Sequence, residues 1–175
     1  AMDKTKLELG DDVQRTGVYE MSFTVNNFGD KALTYDIGAF VMTEGVSETK
    51  TNAGETTVTE EAYILSGATI AISNVSGGTL SGTSLTVNGN SSANVTVTIT
   101  LSDTDKAYLD ASFENGMYVE GYITLTATAG TTVNLSVPYL AFYGDWTKAP
   151  LFDLEYYETN ADELDNSVAF EDKNL

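Results

Sequence analysis

ANVTVTITL, residues 93–101, alternates apolar and polar side chains along most of its length. Successive side chains of a β-strand point to opposite faces, so this stretch turns one face to a core and the other to water. The pattern predicts a strand that is buried on one side only. The apolar face carries Val95, Val97, Ile99 and Leu101, and the polar face carries Asn94, Thr96, Thr98 and Thr100.

The same alternation recurs at residues 19–25, 33–41, 119–125 and 133–139, with shorter runs at 7–9 and 83–87. Turn-forming residues separate these runs, because Asn and Gly tolerate the positive φ that tight reversals need. The turns are expected at Asn27-Phe28-Gly29-Asp30, Gly77-Gly78, Asn88-Gly89 and Asn115-Gly116. Seven or more short strands with this spacing predict an all-β protein, an antiparallel β-sandwich of immunoglobulin or fibronectin type III kind.

Three regions depart from this pattern. Residues from Ser102 to Phe113 predict one short helix, with Ser102 or Asp103 as its cap. Between Met42 and Ser81 the alternation loosens, which indicates long loops or an extra hairpin. We therefore divide the chain into a sandwich at residues 1–144 and an acidic, aromatic extension at residues 145–175 that leads toward a following segment.

Composition excludes several classes of function. The chain has 175 residues, 8 Lys or Arg, 26 Asp or Glu, and a net charge of −18. Nucleic acid is an unsuitable partner, because phosphate binding depends on Lys and Arg. No stretch approaches the ~18 apolar residues of a membrane span, so we expect no membrane insertion. With no His and no Cys, the chain cannot form a Ser-His-Asp or Cys-His triad, and we expect it not to be an enzyme by itself.

Two segments are more specific than a generic sandwich. They are FENGMYVEGYI at residues 113–123 and LSVPYLAFYGDW at residues 135–146, the latter followed by APLFD at residues 149–153. Together they resemble the fibronectin type III-like domain of cell-envelope subtilisin-like serine proteases of Gram-positive bacteria, the lactocepin and C5a-peptidase group. The resemblance implies an excised, non-catalytic module of a secreted parent at the bacterial cell surface or cell wall.

The resemblance also implies partners. The parent's catalytic Asp, His and Ser would lie upstream of this chain, so the first expected partner is the catalytic domain of the same polypeptide. A contact with the protein substrate is the second. The alternative is a free-standing bacterial surface adhesin or carbohydrate-binding module, since fold alone does not decide between these functions.

Four aromatic residues near the end of the sandwich, with one glycine and one proline between them, are the candidates for an interface or a ligand contact. Gly121 in the middle of a strand indicates close approach by another backbone or a large side chain. Pro138 lacks a donor for the strand ladder, which predicts an edge or a bulge. The full set is Tyr118, Tyr122, Gly121, Pro138, Tyr143 and Trp146.

Acidic residues in the extension are the only candidates for a metal site. Asp162, Glu163 and Asp165 offer the oxygen ligands that calcium prefers. They do not form the D-x-[DN]-x-[DN]-G loop of a calcium-binding hand. We therefore favour a solvated acidic tail over a calcium site and expect no other cofactor.

Overall fold

The computed structural model describes residues 1–50, 56–128 and 133–148. Within them the chain forms ten strands, one α-helix and a final 3-10 turn. The elements in order are β1 (Leu7–Asp11), β2 (Val18–Asn27), β3 (Leu33–Lys50), β4 (Thr56–Ile64), β5 (Thr69–Ser76), β6 (Thr79–Ser81), β7 (Ser84–Val87), β8 (Ser91–Thr100), α1 (Asp103–Ser112), β9 (Met117–Ala127), β10 (Leu135–Tyr143) and the turn Trp146–Lys148.

The strands form two sheets. The larger has the order β1-β10-β9-β3-β7-β6, with β4 paired to β3, and the smaller has the order β2-β8-β5. Apolar side chains from both sheets form one buried cluster between them. The predicted all-β sandwich with one helix is confirmed.

The alternation at residues 93–101 has the predicted consequence. Val97 is fully buried and lies opposite Met21 in β2 and Ile72 in β5, at the centre of the smaller sheet. On the opposite face, the hydroxyls of Ser22 and Thr96 form a hydrogen bond of 2.8 Å. The smaller sheet is therefore apolar inside and hydroxyl-rich outside.

Helix α1 begins where the sequence predicts. Ser102 is the N-cap, and a capping box with Asp105 is complete on both sides. The buried Asp105 carboxylate also accepts a hydrogen bond from the backbone N–H of Gly67, between β4 and β5. One carboxylate thus satisfies donors at the helix start and in the adjacent turn.

Residues from Met42 to Ser81 contain an extra hairpin and no long described loop. Strand β3 continues to Lys50, and β4 pairs with it from Met42↔Ile64 to Lys50↔Thr56. The long-loop interpretation is wrong here, while the extra-hairpin interpretation is right. In the distal part of the hairpin, residues 47–50 and 59–61 are all polar, so they lack the alternation that reveals a half-buried strand.

One pairing differs from the antiparallel expectation. Strand β1 runs parallel to β10, with Leu7 opposite Tyr139 and Asp11 opposite Phe142. The next strand, β2, belongs to the other sheet. Because the chain crosses between sheets after β1, it cannot make a hairpin there, and β1 adds to the edge of the last strand.

Gly121 and Pro138 lie in the backbone arrangement that the sequence predicts. A Cβ at Gly121 would overlap the carbonyl oxygen of Phe40 and lie 2.8 Å from the Tyr139 hydroxyl. That hydroxyl crosses over Gly121 and donates a 2.8 Å hydrogen bond to the Phe40 carbonyl. Pro138 precedes the first position at which β1 pairs with β10, Leu7↔Tyr139, so it occupies a local edge.

We expect Gly121→Ala to destabilise the domain by about 3 kcal/mol, because the added methyl must displace backbone and the Tyr139 hydroxyl. Gly82→Ala is the matched control. Gly82 also has a positive φ, +61°, but no atom lies within 4 Å of the Cβ position. We expect this control to lose about 1 kcal/mol from backbone strain alone. Urea unfolding of both variants would test the difference, and equal losses would contradict the steric explanation.

Candidate interface on the larger sheet

The outer face of the larger sheet carries a row of apolar side chains across three strands. Phe40 of β3 lies opposite Tyr122 of β9, and Tyr122 lies opposite Pro138 of β10. Phe40 is 59% exposed and Tyr122 is 45% exposed. We call the two aromatic residues Phe40 and Tyr122, together with the adjoining Pro138, the aromatic row.

A cluster of three aromatic rings lies on the same face toward the end of the sheet. Tyr118 packs edge-on to Phe142 with ring centroids 5.3 Å apart, and Phe142 packs edge-on to Trp146 at 5.2 Å. Tyr118 and Trp146 are tilted by 40° at 5.4 Å. Phe142 is buried, whereas Tyr118 and Trp146 remain partly exposed. We call Tyr118, Phe142 and Trp146 the aromatic cluster.

Hydrogen bonds at the end of β10 hold Trp146 in place. Its backbone N–H donates to the Asp11 carboxylate at 3.1 Å. The next turn is fixed by Asp145, which accepts from the N–H and the hydroxyl of Thr147. These two donors hold the pKa of the Asp145 carboxyl below its usual range. The indole therefore projects from an anchored turn.

The two outer faces differ sharply in chemistry. On the smaller sheet the outward positions of β2 and β8 are polar apart from Val18, and they include Glu20, Ser22, Thr24, Asn94 and Thr96. On the larger sheet they include four large apolar side chains, and Trp146 follows in the turn after β10; each of these five side chains is more than a third exposed. An exposed apolar surface of this kind marks an interaction site in soluble proteins. These five are Phe40, Tyr118, Tyr122, Leu140 and Trp146.

The structure brings some of the predicted site residues together and separates others. Tyr118, Tyr122 and Pro138 lie on the outer face, and Trp146 packs against Tyr118 from the turn after β10. Gly121 and Tyr143 are buried inside the sandwich, so neither presents a contact surface in this chain. Their roles are internal: Gly121 accommodates the Tyr139 hydroxyl, and Tyr143 packs beneath the loop between β1 and β2.

Phe40 and Leu140 were missed in the sequence. A signal existed for Phe40, because residues 33–41 alternate and Phe40 falls on the face predicted to be wet. An aromatic residue at a wet position is informative. For Leu140 the structure gives the reason: its neighbours Tyr139 and Ala141 are buried, so Leu140 points to the opposite, outer face.

Tyr143 anchors two neighbouring segments. Its hydroxyl lies 3.4 Å from Asp110 Oδ2 of α1. Arg15 donates a 2.6 Å hydrogen bond to Asp110 Oδ1, and its guanidinium carbon lies 5.5 Å from the centre of the Tyr143 ring. Burial, reinforced by Asp110, raises the pKa of Tyr143 to about 12. The ring therefore joins α1 and the β1–β2 loop to the end of β10.

An acidic groove adjoins the aromatic cluster, between the β3–β4 hairpin and strands β9 and β10. Its volume is about 580 Å³, and it is lined by Thr43, Glu44, Glu60, Glu61, Ala62, Met117, Tyr118, Glu120 and Leu140. A second depression of about 240 Å³ lies beside it and shares Tyr118 and Leu140 with it. The second depression also includes Trp146, Glu8 and Asp11.

Neither a metal centre nor a membrane-spanning helix is found among the described residues. No three Asp or Glu side chains in residues 1–50, 56–128 and 133–148 are grouped so as to hold a metal ion. No helix in these ranges is long and apolar enough to cross a membrane. The calcium candidates Asp162, Glu163 and Asp165 lie outside the described residues, as does most of the predicted extension at 145–175.

The sequence profile of the Fn3-like domain matches residues 8–140, which includes nearly all of both sheets. The chain belongs to the Fn3-like domain family. The matched region agrees with the two-sheet β-sandwich described above. No functionally curated protein matches the sequence significantly.

Solved structures similar to this Fn3-like domain come from varied proteins. One is the ASH/PapD-like domain of human CEP192, with 9% identity, TM-score 0.46, and coverage of 81% of this chain and 82% of that one. Another is the secreted serine protease VesC from Vibrio cholerae, with 17% identity, TM-score 0.37, and coverage of 79% and 22%. A family 123 glycoside hydrolase from Clostridium perfringens has 9% identity, TM-score 0.43, and coverage of 78% and 23%.

We expect the stability of the Fn3-like domain to fall as pH rises above about 10, the ordinary pKa of tyrosine. Because the folded-state pKa of Tyr143 is raised to about 12, the unfolded chain loses this proton first and is favoured at high pH. Burial also raises the pKa values of Tyr19 and Tyr139. Urea unfolding midpoints between pH 8 and 11.5 should therefore decline.

In Tyr143→Phe the decline should be shallower than in the wild type, because one contributing phenol is absent. Tyr122→Phe is the control, since it removes a phenol whose ring is exposed on the outer face. An equal slope in the wild type and in Tyr143→Phe would contradict the assignment.

Proposed function

We propose that this Fn3-like domain is a non-catalytic accessory module of a secreted, cell-surface subtilisin-like serine protease, and that the aromatic row packs against the parent's catalytic domain. The exposed aromatic row carries the proposal. Phe40 and Tyr122 lie side by side on a sheet face whose counterpart on the smaller sheet is polar. The resemblance of residues 113–123 and 135–146 to the protease-associated domains supports the parent that we propose.

The chemistry of the row supports a contact between two protein domains. Aromatic side chains contribute much of the binding free energy of protein interfaces, and they do so where they are shielded from water. The row sits on paired strands in the middle of a sheet, between β10 and β3. It is therefore a rigid surface that loses little conformational entropy on docking. Bracing a catalytic domain requires such a surface.

The proposed role implies a location outside the cell. A module of a secreted protease would be extracellular, at the bacterial cell surface or in the cell wall. Peptide cleavage would be carried out by the parent's own Asp, His and Ser, since this chain has no His.

The reading frame around the encoding sequence tests the identity of the parent. We expect an Asp, a His and a Ser in subtilisin-like sequence contexts upstream of residue 1. A frame that encodes a signal peptide immediately before this domain, with no protease domain, would overturn the proposal.

Surface variants test the docking face. In the isolated chain, Phe40→Ser, Tyr122→Ser and the control Val18→Ser should each change stability by less than about 0.5 kcal/mol, because all three sites are exposed. In the parent, the two aromatic variants should each weaken docking by about 2 kcal/mol. Differential scanning calorimetry of the parent would report this as earlier unfolding of the catalytic domain. Equal effects of Val18→Ser, on the smaller sheet, would contradict the assignment.

A carbohydrate-binding module is the second candidate, because Tyr118, Tyr122 and Trp146 are exposed aromatic rings that could stack on sugars. Sugar stacking favours a flat aromatic platform. In the aromatic cluster the Phe142 and Trp146 rings are perpendicular, and Tyr118 and Trp146 are tilted by 40°. This geometry favours a protein contact. Saturable glycan binding that is lost in Tyr122→Ser would support the second candidate instead.

A further inference from the structure

The acidic groove lies beside the aromatic row. Next to that row, a second line of outer-face residues is paired directly from strand to strand. This second line crosses five strands, in the order β4, β3, β9, β10 and β1. Within it, Met42 is opposite both Ile64 and Glu120, and Leu140 is opposite both Glu120 and Glu8. Because Tyr118 and Leu140 line both depressions, the two join into one trough that crosses the strands.

The carboxylates of the groove have no cationic partner within it. Glu44, Glu60, Glu61 and Glu120 line the groove, and none of its described lining residues is Lys or Arg. The ion pairs formed among the described residues are Lys6–Glu8, Arg15–Asp110 and Lys106–Asp103, and none involves these four glutamates. The groove is therefore a site of uncompensated negative charge.

The arrangement of these glutamates favours a ligand with several separated positive charges. Glu44 belongs to β3, Glu60 and Glu61 to β4, and Glu120 to β9. No three of the described carboxylates converge as a metal ion requires. A single ion could thus contact only part of the set. An extended chain with positive side chains at intervals could contact the glutamates on all three strands.

We propose that this trough binds an extended protein segment rich in Lys and Arg. The glutamates would pair with its ammonium and guanidinium groups, and the apolar Met117 and Leu140 would contact their aliphatic stems. Tyr118, where the two depressions join, and Trp146, in the second depression, offer ring faces for cation–π contacts. Neighbouring strands are about 4.8 Å apart, so five strands span roughly 19 Å, the length of about six extended residues.

This proposal goes beyond the accessory role, because it assigns a ligand to a second surface. It can be tested on the isolated chain, without any parent protease. Trp146 is the chain's single tryptophan and lines the trough, so its fluorescence reports binding there. The probe is an eight-residue peptide of alternating arginine and serine, blocked at both ends. We expect a saturable fluorescence change, and we expect the affinity it reports to fall as the salt concentration rises. The same peptide with glutamate in place of arginine should cause none.

Two triple variants with the same change in net charge separate a local site from the general negative field. Glu44→Gln/Glu60→Gln/Glu120→Gln removes charges from the groove. Glu20→Gln/Asp30→Asn/Glu114→Gln removes three exposed charges elsewhere. We expect about tenfold weaker peptide binding for the groove variant and less than twofold for the control, measured by titration calorimetry.

The outcomes that overturn the proposal are distinct from those that overturn the accessory role. Equal weakening in both triple variants would assign binding to the overall charge of the chain. Equally tight binding of spermine would assign the trough to small polyamines. No fluorescence change and no heat of binding would remove the site altogether. Each result leaves docking by Phe40 and Tyr122 to be judged by its own variants.

Discussion

The hydrogen bond from the Tyr139 hydroxyl to the Phe40 carbonyl is the contact on which the organisation of the larger sheet depends. It reaches from β10 across β9 to β3, and it is possible only because Gly121 has no side chain in its path. A tyrosine ring over a cross-strand glycine restores the packing that the glycine lacks. The bond also fixes the registers of β3, β9 and β10 together. Phe40, Tyr122 and Pro138 consequently share one row on the outer face.

Much of the fold could be predicted because most strands are buried on one face only. Residues 93–101 and 119–125 alternate strictly enough to define a period of two, and Ser102 is one of the two cap residues that the sequence offers for the helix start. The distal half of β3 could not be found this way. Hairpin strands with solvent on both faces have no burial pattern to impose on the sequence. The parallel pairing of β1 was equally hidden, because it depends on which sheet receives β2.

The candidate site was only partly accessible from the sequence for a related reason. Tyr118 and Tyr122 could be placed on one face of one strand, since their spacing of four residues along β9 is even. Their neighbours Phe40 and Leu140 come from β3 and β10, and only the strand order brings them alongside. Tyr143 illustrates the opposite error. It is next to the exposed end of β10 in the sequence, but the Arg15–Asp110 pair and α1 cover it.

The net charge of −18 is not evenly compensated across the domain. Lys6 pairs with Glu8 at the β1 end of the trough, whereas Arg15 and Lys106 pair with acids of α1, and none of the three contacts the four groove glutamates. The four groove glutamates therefore add to one another in a concave surface, where a field is stronger than on a convex one. The row Met42–Glu120–Leu140 is next to the aromatic row, because positions two apart on a strand share a face. Their separation is about 7 Å. A domain docked on Phe40 and Tyr122 would thus lie beside any chain held in the groove. The two proposed surfaces would therefore act together, one bracing the docked domain and the other orienting a cationic segment toward it.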